Sequence, residues 1–325
     1  MKSKVLAALR SRKGYVSGQE LCENLGVSRA AVWKGVQKLK QEGYRIEAIP
    51  NKGYCLMDSP DVLNAEELKN FRKTAWAGTQ IVYYDVTDST NIQAKRLAEE
   101  GASHGTLVVA GRQEAGRGRR GRSWESPEKD GIFMTLLLRP DFKPKEASML
   151  TIVAAMAVTK AIQTMYGIRA GIKWPNDIVL NGKKICGILT EMNTEIDAIN
   201  YVVVGIGINV SNRKFESEAS FIATSLEAES GKTIHRAKLI AAVLEQFEFY
   251  YDKFCKAKDL SNIMEEYNRY LVNMDRQVRI LDPKEPFTGI SRGITEKGEL
   301  IVTAENGTKL VSSGEVSVRG IYGYV

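Results

Sequence analysis

The first sixty residues carry apolar side chains at helical spacing, interrupted by residues that begin and end helices. A first helix is predicted over residues 2–12. A second begins after Ser17, with Glu20 completing a capping box, and ends at Gly26. A third begins after Ser28. Two short helices joined by a glycine-containing turn are typical of a helix-turn-helix, whose second helix enters the major groove of DNA.

Two short alternating segments, residues 45–49 and 54–57, follow the third helix and flank a turn that contains Lys52. They predict a hairpin with a basic tip, so residues 1–60 form a winged helix-turn-helix. The side chains expected to contact DNA belong to the third helix and the wing: Ser28, Arg29, Trp33, Lys34, Lys38 and Lys52. The alternative is a helical protein-interaction module with a basic surface. Residues 58–61 are a predicted linker.

Residues 63–272 alternate apolar strand-like runs with helical patterns and predict an α/β domain. Strands are expected at 81–84, 106–110, 131–138, 178–180, 183–189 and 202–210, and helices at 91–100, 148–166 and 236–256. Residues 273–325 contain short strands separated by Lys297-Gly298 and Asn306-Gly307 turns, at 277–281, 287–293, 300–303 and 308–311. Regular short strands with tight turns predict a small barrel or sandwich that docks on or covers the site.

Glycine alternates with arginine between Gly116 and Arg122, in a loop between two buried strands. Glycine lets the backbone approach a ligand closely, and guanidinium groups form planar, permanently charged forks for phosphate or carboxylate. The alternative is an Arg-Gly segment that coats RNA. Because the loop connects two core strands of an α/β domain, a site for a small anion is the favoured interpretation.

A second candidate site follows the helix 148–166, where Lys173-Trp174-Pro175-Asn176-Asp177 precedes a hairpin with an Asn-Gly turn. The hairpin holds Asp177 and Lys184 on neighbouring strands, where a carboxylate, an amide and a lysine suit Mg²⁺ and a triphosphate. The alternative for Lys184 is a solvated hairpin flank. Ser89, Thr90 and Asn91 add hydrogen-bonding groups at a helix N-terminus. Ordinary N-capping by Asp88 or Ser89 is the alternative there.

Residues 202–210 include Gly205 and Gly207 and match the dinucleotide-binding pattern weakly, since the third glycine is missing and a polar segment, 211–221, follows. No P-loop pattern occurs in the sequence. The chain has only two histidines, so a histidine-centred triad or metal site is not expected.

Charge and cysteine usage narrow the class of protein further. Residues 1–60 hold 11 Lys and Arg against 5 Asp and Glu, a net charge of +6, whereas the whole chain carries +7. A basic head on a nearly neutral body is the electrostatic signature of nucleic-acid binding. The four cysteines lie far apart without a C-x-x-C pair, and no secretory signal or membrane-spanning run is recognised. We therefore expect a cytoplasmic protein without a membrane partner.

The chain resembles the BirA family of bifunctional biotin–protein ligases and biotin-operon repressors. Four features carry the resemblance: the winged head, the loop 116–121, the segment 173–177 and the strand 184–189. Ser89, Thr90, Asn91, Gln113 and Trp124 fit in order and spacing. The resemblance implies an α+β protein with an N-terminal winged helix-turn-helix (1–60), a central mixed-sheet α/β ligase domain (63–272) and a small SH3-like β-barrel (273–325).

The resemblance also implies the reaction, in which ATP activates biotin as biotinyl-5′-adenylate and an acceptor lysine then takes the biotinyl group. The acceptors would be the biotin carboxyl carrier protein of acetyl-CoA carboxylase and other biotin-dependent carboxylases. Ser89, Thr90, Asn91 and Gln113 would contact biotin. Arg117, Gly118 and Arg119 would close over biotin and adenylate, Trp124 would pack over the ligand, Lys184 would hold the carboxyl or phosphate end, and Asn176 and Asp177 would lie by the ATP and its Mg²⁺.

Arg119, Lys184 and Asp177 are the expected catalytic residues. Carboxylate attack on the α-phosphate concentrates negative charge, so fixed cations are the main requirement. Asp177 would help to deprotonate or orient the acceptor lysine. No protein-held metal is expected, and Mg²⁺ would arrive with ATP. Family members also dimerise when adenylate-bound and repress through double-stranded operator DNA. A biotin-sensing repressor without ligase activity and a lipoate-type ligase remain as alternatives.

Overall fold

The computed structural model describes residues 1–12, 14–58, 60–195, 198–211, 215, 222–282, 285–313, 317–320 and 324–325. The chain divides into two compact units, Met1–Asn70 and Phe71–Val325. The predicted division into three domains at 60/63 and 272/273 stays a prediction.

The first unit is built from three helices and a hairpin, as the sequence predicted. Its elements are α1 (Lys2–Arg10), α2 (Gly18–Leu25), α3 (Arg29–Gln41), β1 (Arg45–Ile49) and β2 (Gly53–Asp58), and α4 (Ala65–Phe71) begins within it. The strands β1 and β2 pair antiparallel. A single apolar core joins the helices to the hairpin, and its buried members include Val5, Leu9, Leu21, Val36 and Ile46. This arrangement is a winged helix-turn-helix.

The turn between α2 and α3 follows from its local sequence. Ser17 Oγ accepts a hydrogen bond from the amide of Glu20 at 3.0 Å, and Ser28 caps α3 in the same way through Ala31. Gly26 ends α2 in the left-handed conformation, where a β-carbon would be disfavoured. The Glu20 carboxylate pairs with Arg12 at 2.7 Å. The caps by Ser17 and Ser28 are therefore confirmed, whereas the described contact of the Glu20 carboxylate is this ion pair and not the second bond of the predicted capping box.

The helix α4 is held in the first unit by a buried ion pair. Glu67 is only 3% exposed. It accepts two bonds from the Arg10 guanidinium, at 3.0 and 2.7 Å, and one from the Tyr44 hydroxyl at 2.8 Å. A paired and hydrogen-bonded carboxylate tolerates burial that an isolated one would not. Residues 61–70, which the sequence assigned to the linker and the body, therefore belong with the first unit.

The second unit contains a seven-stranded sheet, helices on its faces and a second, five-stranded sheet. The elements up to the second sheet are β3 (Ile81–Thr87), α5 (Thr90–Glu99), β4 (Leu107–Gln113), a 3₁₀ turn (Arg119–Gly121), β5 (Gly131–Leu138), α6 (Pro144–Ala147), α7 (Leu150–Tyr166), β6 (Gly171–Lys173), β7 (Asp177–Leu180), β8 (Lys183–Thr194), β9 (Ile199–Asn209), α8 (Leu226–Ser230), α9 (Arg236–Ala257) and α10 (Ser261–Tyr270). Each predicted strand and helix of this region is present, with ends that differ by a few residues.

The large sheet has the order β3-β4-β5-β9-β8-β7-β6, and only β3 and β4 run parallel to each other. The helix α5 makes the crossover between these two strands and packs through Ala94 and Ala98 against Val108 and Val203. Side chains alternate between faces along a strand, so Gly205 and Gly207 lie on the same face as Val203. The mixed α/β sheet predicted for this domain is confirmed.

The helix α7 covers the opposite face of the sheet, where Thr151 donates a hydrogen bond to Thr190 of β8 at 2.9 Å. Pro144–Tyr166 is the one segment of the described residues that is long and apolar enough to span a membrane by length and composition. Of its apolar window, 67% is buried inside the protein, and eleven side chains of α7 are buried. The segment is therefore the central core helix of this unit.

The second sheet contains β10 (Gln277–Leu281), β11 (Phe287–Ile294), β12 (Leu300–Ala304), β13 (Gly307–Val311) and β14 (Ser317–Gly320). All of its strand pairs are antiparallel, in the order β13-β12-β11-β10-β14. The sequence predicted the first four strands and missed β14. The described pairs leave β13 and β14 at opposite edges, so closure into a barrel stays a prediction.

Candidate active site and DNA-binding surface

The glycine–arginine loop between β4 and β5 folds back on itself as a narrow hairpin. The main chains of Arg117 and Ser123 form an isolated antiparallel β-bridge, and the amide of Gly118 donates to the carbonyl of Arg122 at 2.7 Å. Arg120 and Gly121 close the turn with positive φ angles of 58° and 72°. A β-carbon at Gly116 would lie 2.4 Å from the carbonyl oxygen of Trp124, so glycine is required where the two arms approach.

The structure brings all of the predicted ligand-binding residues to one cavity over the central strands β5, β9 and β8 of the large sheet. These residues, scattered over a hundred positions of sequence, are Ser89, Thr90, Asn91, Gln113, Arg117, Gly118, Arg119, Trp124, Asn176 and Lys184. Asp177 lies beside them, in a wider groove that continues the cavity outward. The groove is also lined by Lys173, Arg319 and Tyr324, so the second sheet and the segment after it contribute to the opening.

A chain of hydrogen bonds fixes the inner end of the cavity. Gln113 Oε1 accepts from the amide of Thr90 at 2.8 Å, and Gln113 Nε2 donates to Ser126 at 2.8 Å. Asn91 Nδ2 donates to Glu191 Oε2 at 2.8 Å, and the Thr135 hydroxyl lies 2.7 Å from Asn91 Oδ1. The side-chain amides of Asn91 and Gln113 are therefore held in fixed orientations by these contacts.

The direction of each bond in this chain follows from its partners. Asn91 Nδ2 faces two acceptors, Glu191 and the carbonyl of Leu189, so its Oδ1 must accept the proton of Thr135. The Thr90 hydroxyl lies 2.8 Å from Thr135 Oγ1 and 3.1 Å from Gln113 Oε1. It therefore has two acceptors for one proton, and it is the adaptable member of the chain.

At the N-terminus of α5, Asp88 and not Ser89 makes the local side-chain hydrogen bonds. Asp88 Oδ1 accepts from the amide of Ser89 at 2.6 Å and from Gln93 at 2.9 Å. The Ser89 side chain makes no capping bond and is 2% exposed. Since Asp88 takes the local bonds, capping does not account for the placement of the Ser89 hydroxyl at the cavity.

Two strand glycines, Gly187 and Gly207, make room for the ring of Trp124, and a third, Gly205, makes room for Asn91. Gly187 and Gly207 are direct neighbours across β8 and β9, and Gly205 lies two residues away on the same face. A β-carbon at Gly207 would lie 2.6 Å from Trp124 Cε2, and one at Gly187 would lie 2.8 Å from Trp124 Cζ3. Trp124 Nε1 is buried and has no hydrogen-bond partner among the described residues. The weak dinucleotide pattern thus reflects the glycine-lined face of β9, on which the Trp124 ring lies.

Lys184 and Asp177 form the ionic centre of the site. Their side chains meet at 2.6 Å across the β7–β8 hairpin. Asn176 Nδ2 donates to Asp177 Oδ1 at 3.0 Å, and the Tyr324 hydroxyl donates to Asp177 Oδ2. Burial raises the pKa of Asp177, but the charge and hydrogen bond of Lys184 outweigh it, so the pKa lies below its ordinary value. Asp177 is therefore a carboxylate at neutral pH, and Lys184 is not a solvated hairpin flank.

Arg119 reaches from the loop into this centre. Its guanidinium donates to Asn176 Oδ1 at 2.8 Å and to the main-chain carbonyl of Ser313. Burial lowers the pKa of Arg119 from its very high ordinary value, partly countered by Asp177. The loop is thus joined both to the ionic centre and to the second sheet. Arg117, by contrast, is exposed at the rim.

Lys173 is a buried cation whose importance the sequence did not reveal. It is 6% exposed, and its ammonium lies 3.6 Å from the centre of the Tyr324 ring. Burial lowers its pKa to about 8, although the charge of Asp177 acts in the opposite direction. With Arg119 and Lys184, Lys173 makes the mouth of the cavity strongly positive, which suits phosphate groups.

No group of three His, Cys, Asp or Glu side chains that could hold a metal occurs among the described residues. Among the described residues, Asp177 supplies the one carboxylate of the ionic centre, and both of its oxygens accept hydrogen bonds. The donor set fits Mg²⁺ that arrives on phosphate oxygens and keeps most of its waters, with Asp177 and Asn176 as the nearby oxygen groups.

Several contributing residues were given no role from the sequence, among them Ser126, Thr135, Glu191 and Lys173. Single polar residues within apolar runs carry no motif, and only the alternating glycines of β9 marked a sheet face that a ligand or ring could approach. The polar loop 211–221 was not assigned any adenine contacts. Residues 212–214 and 216–221 of that loop lie outside the described residues, and Phe215 and Ile222 line the outer groove.

The predicted DNA-contacting side chains lie on the solvent side of the first unit. Ser28, Arg29, Trp33, Lys34 and Lys38 are exposed on α3, and Lys52 is exposed in the turn of the wing. Trp33 is 54% exposed, which is unusual for a tryptophan and leaves its ring free for contact. Lys52 lies 5.9 Å from the Tyr15 ring, and Arg29 donates to Gln19. Whether these side chains contact DNA stays a prediction.

Three family descriptions match this chain. The biotin/lipoate A/B protein ligase family matches residues 83–209, an HTH domain matches residues 2–55, and the biotin protein ligase C-terminal domain matches residues 274–319. The order of the three matches is the order of the parts predicted from the sequence.

Curated relatives match over almost the whole chain. The bifunctional ligase/repressor BirA of Bacillus subtilis is 40% identical over 97% of this chain and 98% of its own length. The protein of the same name from Escherichia coli is 29% identical over 97% and 96%. Among solved structures, the Aquifex aeolicus biotin protein ligase in complex with biotin and ATP is 33% identical and superposes with a TM-score of 0.66, covering 74% of this chain and 99% of that one.

Proposed function

The chain belongs to the family of bifunctional biotin ligase/repressors, and on that premise we propose that its cavity joins biotin to AMP and passes the biotinyl group to a lysine. The protein is an ATP-dependent biotin–protein ligase with a helix-turn-helix head that binds DNA. The observation that supports the site assignment is the convergence of ten separately predicted residues on one cavity beside the Lys184–Asp177 pair.

The inner end of the cavity suits biotin. Its polar groups are held by mutual hydrogen bonds around Asn91 and Gln113, and the adaptable Thr90 hydroxyl and the Ser89 hydroxyl face the cavity from the start of α5. The Trp124 ring lies over the glycine-lined sheet face and forms an apolar wall. A cavity with an apolar wall and several fixed polar groups binds a small ring compound in one orientation.

The outer end suits the triphosphate and the developing charge of the first step. A biotin carboxylate oxygen attacks the α-phosphorus and pyrophosphate leaves, so two anionic groups approach each other. Lys184 and Arg119 lie where positive charge lowers the energy of that arrangement. Mg²⁺ bound to the leaving phosphates draws off charge there.

The acceptor we propose is the lysine of a biotin carboxyl carrier protein, such as that of acetyl-CoA carboxylase. The outer groove, which opens between the loop and the second sheet, is the route by which a carrier's lysine reaches the adenylate. Asp177 lies at this side of the ionic centre and accepts a hydrogen bond from the arriving amine. This role gives the second step a fixed acceptor for the amine's proton.

We propose that the head represses biotin-related genes as part of an adenylate-bound homodimer on a palindromic operator. Support for the dimer comes from the large sheet, in which β3 is an edge strand with Val86 48% exposed. An unpaired edge with an exposed apolar side chain favours pairing with a second chain. All four cysteines are free thiols, which is consistent with a cytoplasmic location.

The experiment that tests the activity is transfer of labelled biotin to a carrier-domain acceptor, with ATP and Mg²⁺ present or withheld. Labelling that requires ATP establishes the ligase. A Lys184→Gln variant should lose about a hundredfold in rate, because a fixed charge at the reacting phosphate is removed. Lys183→Gln, which changes the exposed neighbour, is the matched control and should retain the wild-type rate.

Two other outcomes would replace the proposal. Adenylate formation without transfer would favour a biotin-sensing repressor, and transfer of lipoate in place of biotin would favour a lipoate-type ligase. Equal losses in the Lys184→Gln and Lys183→Gln variants would show that Lys184 has no special role.

A further inference from the structure

The carboxylate of Asp177 is almost completely occupied. Its Oδ1 accepts from Lys184 Nζ at 2.6 Å and from Asn176 Nδ2 at 3.0 Å, and its Oδ2 accepts from the Tyr324 hydroxyl. A carboxylate has about four lone-pair positions, two on each oxygen. The described bonds fill both positions on Oδ1 and one on Oδ2, so the position that remains is on the oxygen that Tyr324 holds.

Tyr324 lies outside the large sheet, near the end of the chain, and its own contacts keep it in place. The ring lies over the buried ammonium of Lys173 at 3.6 Å, close enough for a cation–π contact. The neighbouring Val325 packs on β14, where a β-carbon at Gly320 would lie 2.1 Å from its carbonyl oxygen. Burial, followed by the charge of Asp177, raises the pKa of the Tyr324 hydroxyl above its ordinary value. The hydroxyl is therefore a permanent donor.

We propose that Tyr324 is a positioning residue for biotin transfer, because its bond to Asp177 Oδ2 directs the remaining lone pair of that oxygen toward the amine of the acceptor lysine. The inference rests on the proposed function and deepens it. Tyr324 acts only through Asp177, whereas Asp177 touches the amine.

Transfer of the biotinyl group to the lysine forms one bond and breaks one. The neutral amine nitrogen attacks the carbonyl carbon of biotinyl-5′-adenylate, a C–N bond forms, and the bond between that carbon and the phosphate oxygen breaks. AMP leaves with the electron pair of that bond. The nitrogen becomes acidic once the C–N bond forms, so Asp177 Oδ2 takes its proton although the carboxylate is a weak base. The same oxygen orients the amine before attack.

The formation of the adenylate makes a different demand on the same centre. Its nucleophile is the biotin carboxylate, which has no proton to lose, and its main requirement is positive charge on Lys184 and Arg119. Lys184 bonds to Oδ1, and Tyr324 bonds to Oδ2. Loss of the tyrosine hydroxyl should therefore impair the second step more than the first.

The test is the variant Tyr324→Phe, which keeps the ring over Lys173 and removes only the hydroxyl. Adenylate formation is followed by pyrophosphate release, and transfer is followed in a single turnover from preformed adenylate to a carrier domain. We expect transfer to fall about tenfold further than adenylate formation, because a misplaced proton acceptor loses part of its effect. The matched control is Tyr250→Phe, which also removes a tyrosine–carboxylate bond, to Glu266, remote in sequence from the site.

A second nucleophile separates positioning from a structural defect. Hydroxylamine is neutral at pH 7 and needs little help with its proton, whereas lysine has an ordinary pKa of about 10.4. The Tyr324→Phe variant should lose less activity toward hydroxylamine than toward the carrier lysine. Equal losses for both nucleophiles, or equal losses in both half-reactions, would overturn the inference. If the wild-type protein made no adenylate from biotin and ATP, the proposed function itself would fail, independently of Tyr324.

Discussion

Replacing Gly207 by alanine tests whether the missing side chain on β9 is what admits the Trp124 ring. The backbone of Gly207 is not in a left-handed conformation, so alanine adopts it without strain. The new β-carbon would lie 2.6, 2.7 and 2.9 Å from three atoms of the indole ring, Cε2, Nε1 and Cζ2. Ordinary contacts of this kind are 3.4–4 Å long, so the ring must move away from the strand.

The expected magnitude follows from that overlap. Inserting a methyl group into a close-packed contact costs about 1–3 kcal/mol. Trp124 belongs to a loop, so we expect the loop to be displaced from the cavity while the sheet stays unchanged. Since about 1.4 kcal/mol is a factor of ten in affinity, the dissociation constant for biotin should rise by roughly tenfold to a hundredfold. The temperature of unfolding should change little.

The assay is calorimetric titration of biotin into the wild-type protein and the variants. Gly18→Ala is the control, because the nearest atom to its β-carbon is 3.8 Å away, in the DNA-binding unit. The second variant, Trp124→Leu, removes the ring, and the double variant completes a thermodynamic cycle. If Gly207→Ala weakened binding equally with and without the Trp124 ring, the clash would not be the cause and the reasoning would be refuted.

Three further predictions concern charged residues. Arg119→Gly removes the bonds to Asn176 and to the Ser313 carbonyl, so biotinyl-adenylate should escape about tenfold faster while its formation changes less, as single-turnover release would measure. Lys173→Met removes a buried ammonium whose pKa is lowered to about 8 by burial, countered in part by Asp177. The free energy of unfolding of the wild-type protein should rise between about pH 8 and pH 10.4, where only the unfolded chain binds that proton, and this rise should be smaller in the variant. Lys38→Ala should weaken DNA binding about equally for all sequences and reduce the slope of log affinity against log salt by about 1.

Each of these three has a contrary result. An unchanged release rate would show that Arg119 does not retain the adenylate. The same pH dependence in Lys173→Met would place the titrating group elsewhere. A loss of affinity for one sequence alone would make Lys38 a base-reading residue and not a phosphate contact.

The sequence predicted most of the fold because its elements carry strong local signals. The strand over residues 131–138 was predicted with its observed ends, since an apolar run interrupted only by Thr135 begins at Gly131 and ends before Arg139-Pro140. The turn at Asn181-Gly182 was equally clear, and both residues have positive φ angles. These features depend on neighbours in sequence, which a single chain displays.

The elements that were missed depend on partners far away in sequence. The strand β14 is short and pairs only with β10, about forty residues earlier. The helix α4 was assigned to the body because nothing in its own sequence shows that Arg10 and Tyr44 bind Glu67. Long-range pairing of this kind has no local periodicity, so composition and spacing alone do not reveal it.

The residues of the candidate site also divide into local motifs, which the sequence reveals, and long-range contacts, which it does not. Its loop, its hairpin and its helix N-terminus were found because each is a compact motif of unusual residues. Tyr324 was not found and Lys173 was given no role, since their contact arises only when the second sheet brings the tyrosine to the lysine. Thr135 was hidden for a related reason, because it is one hydroxyl in a strand whose other residues are apolar or glycine.

The bond from Arg119 to Ser313 requires the side chain of Arg119 but not the side chain of Ser313. The acceptor is a main-chain carbonyl, which every amino acid provides, so substitution of Ser313 leaves the group that accepts the bond unchanged. A mutational scan would therefore find the link at Arg119 and overlook it at Ser313. Residue 313 can therefore change during evolution while the hydrogen bond between the glycine–arginine loop and the second sheet is kept.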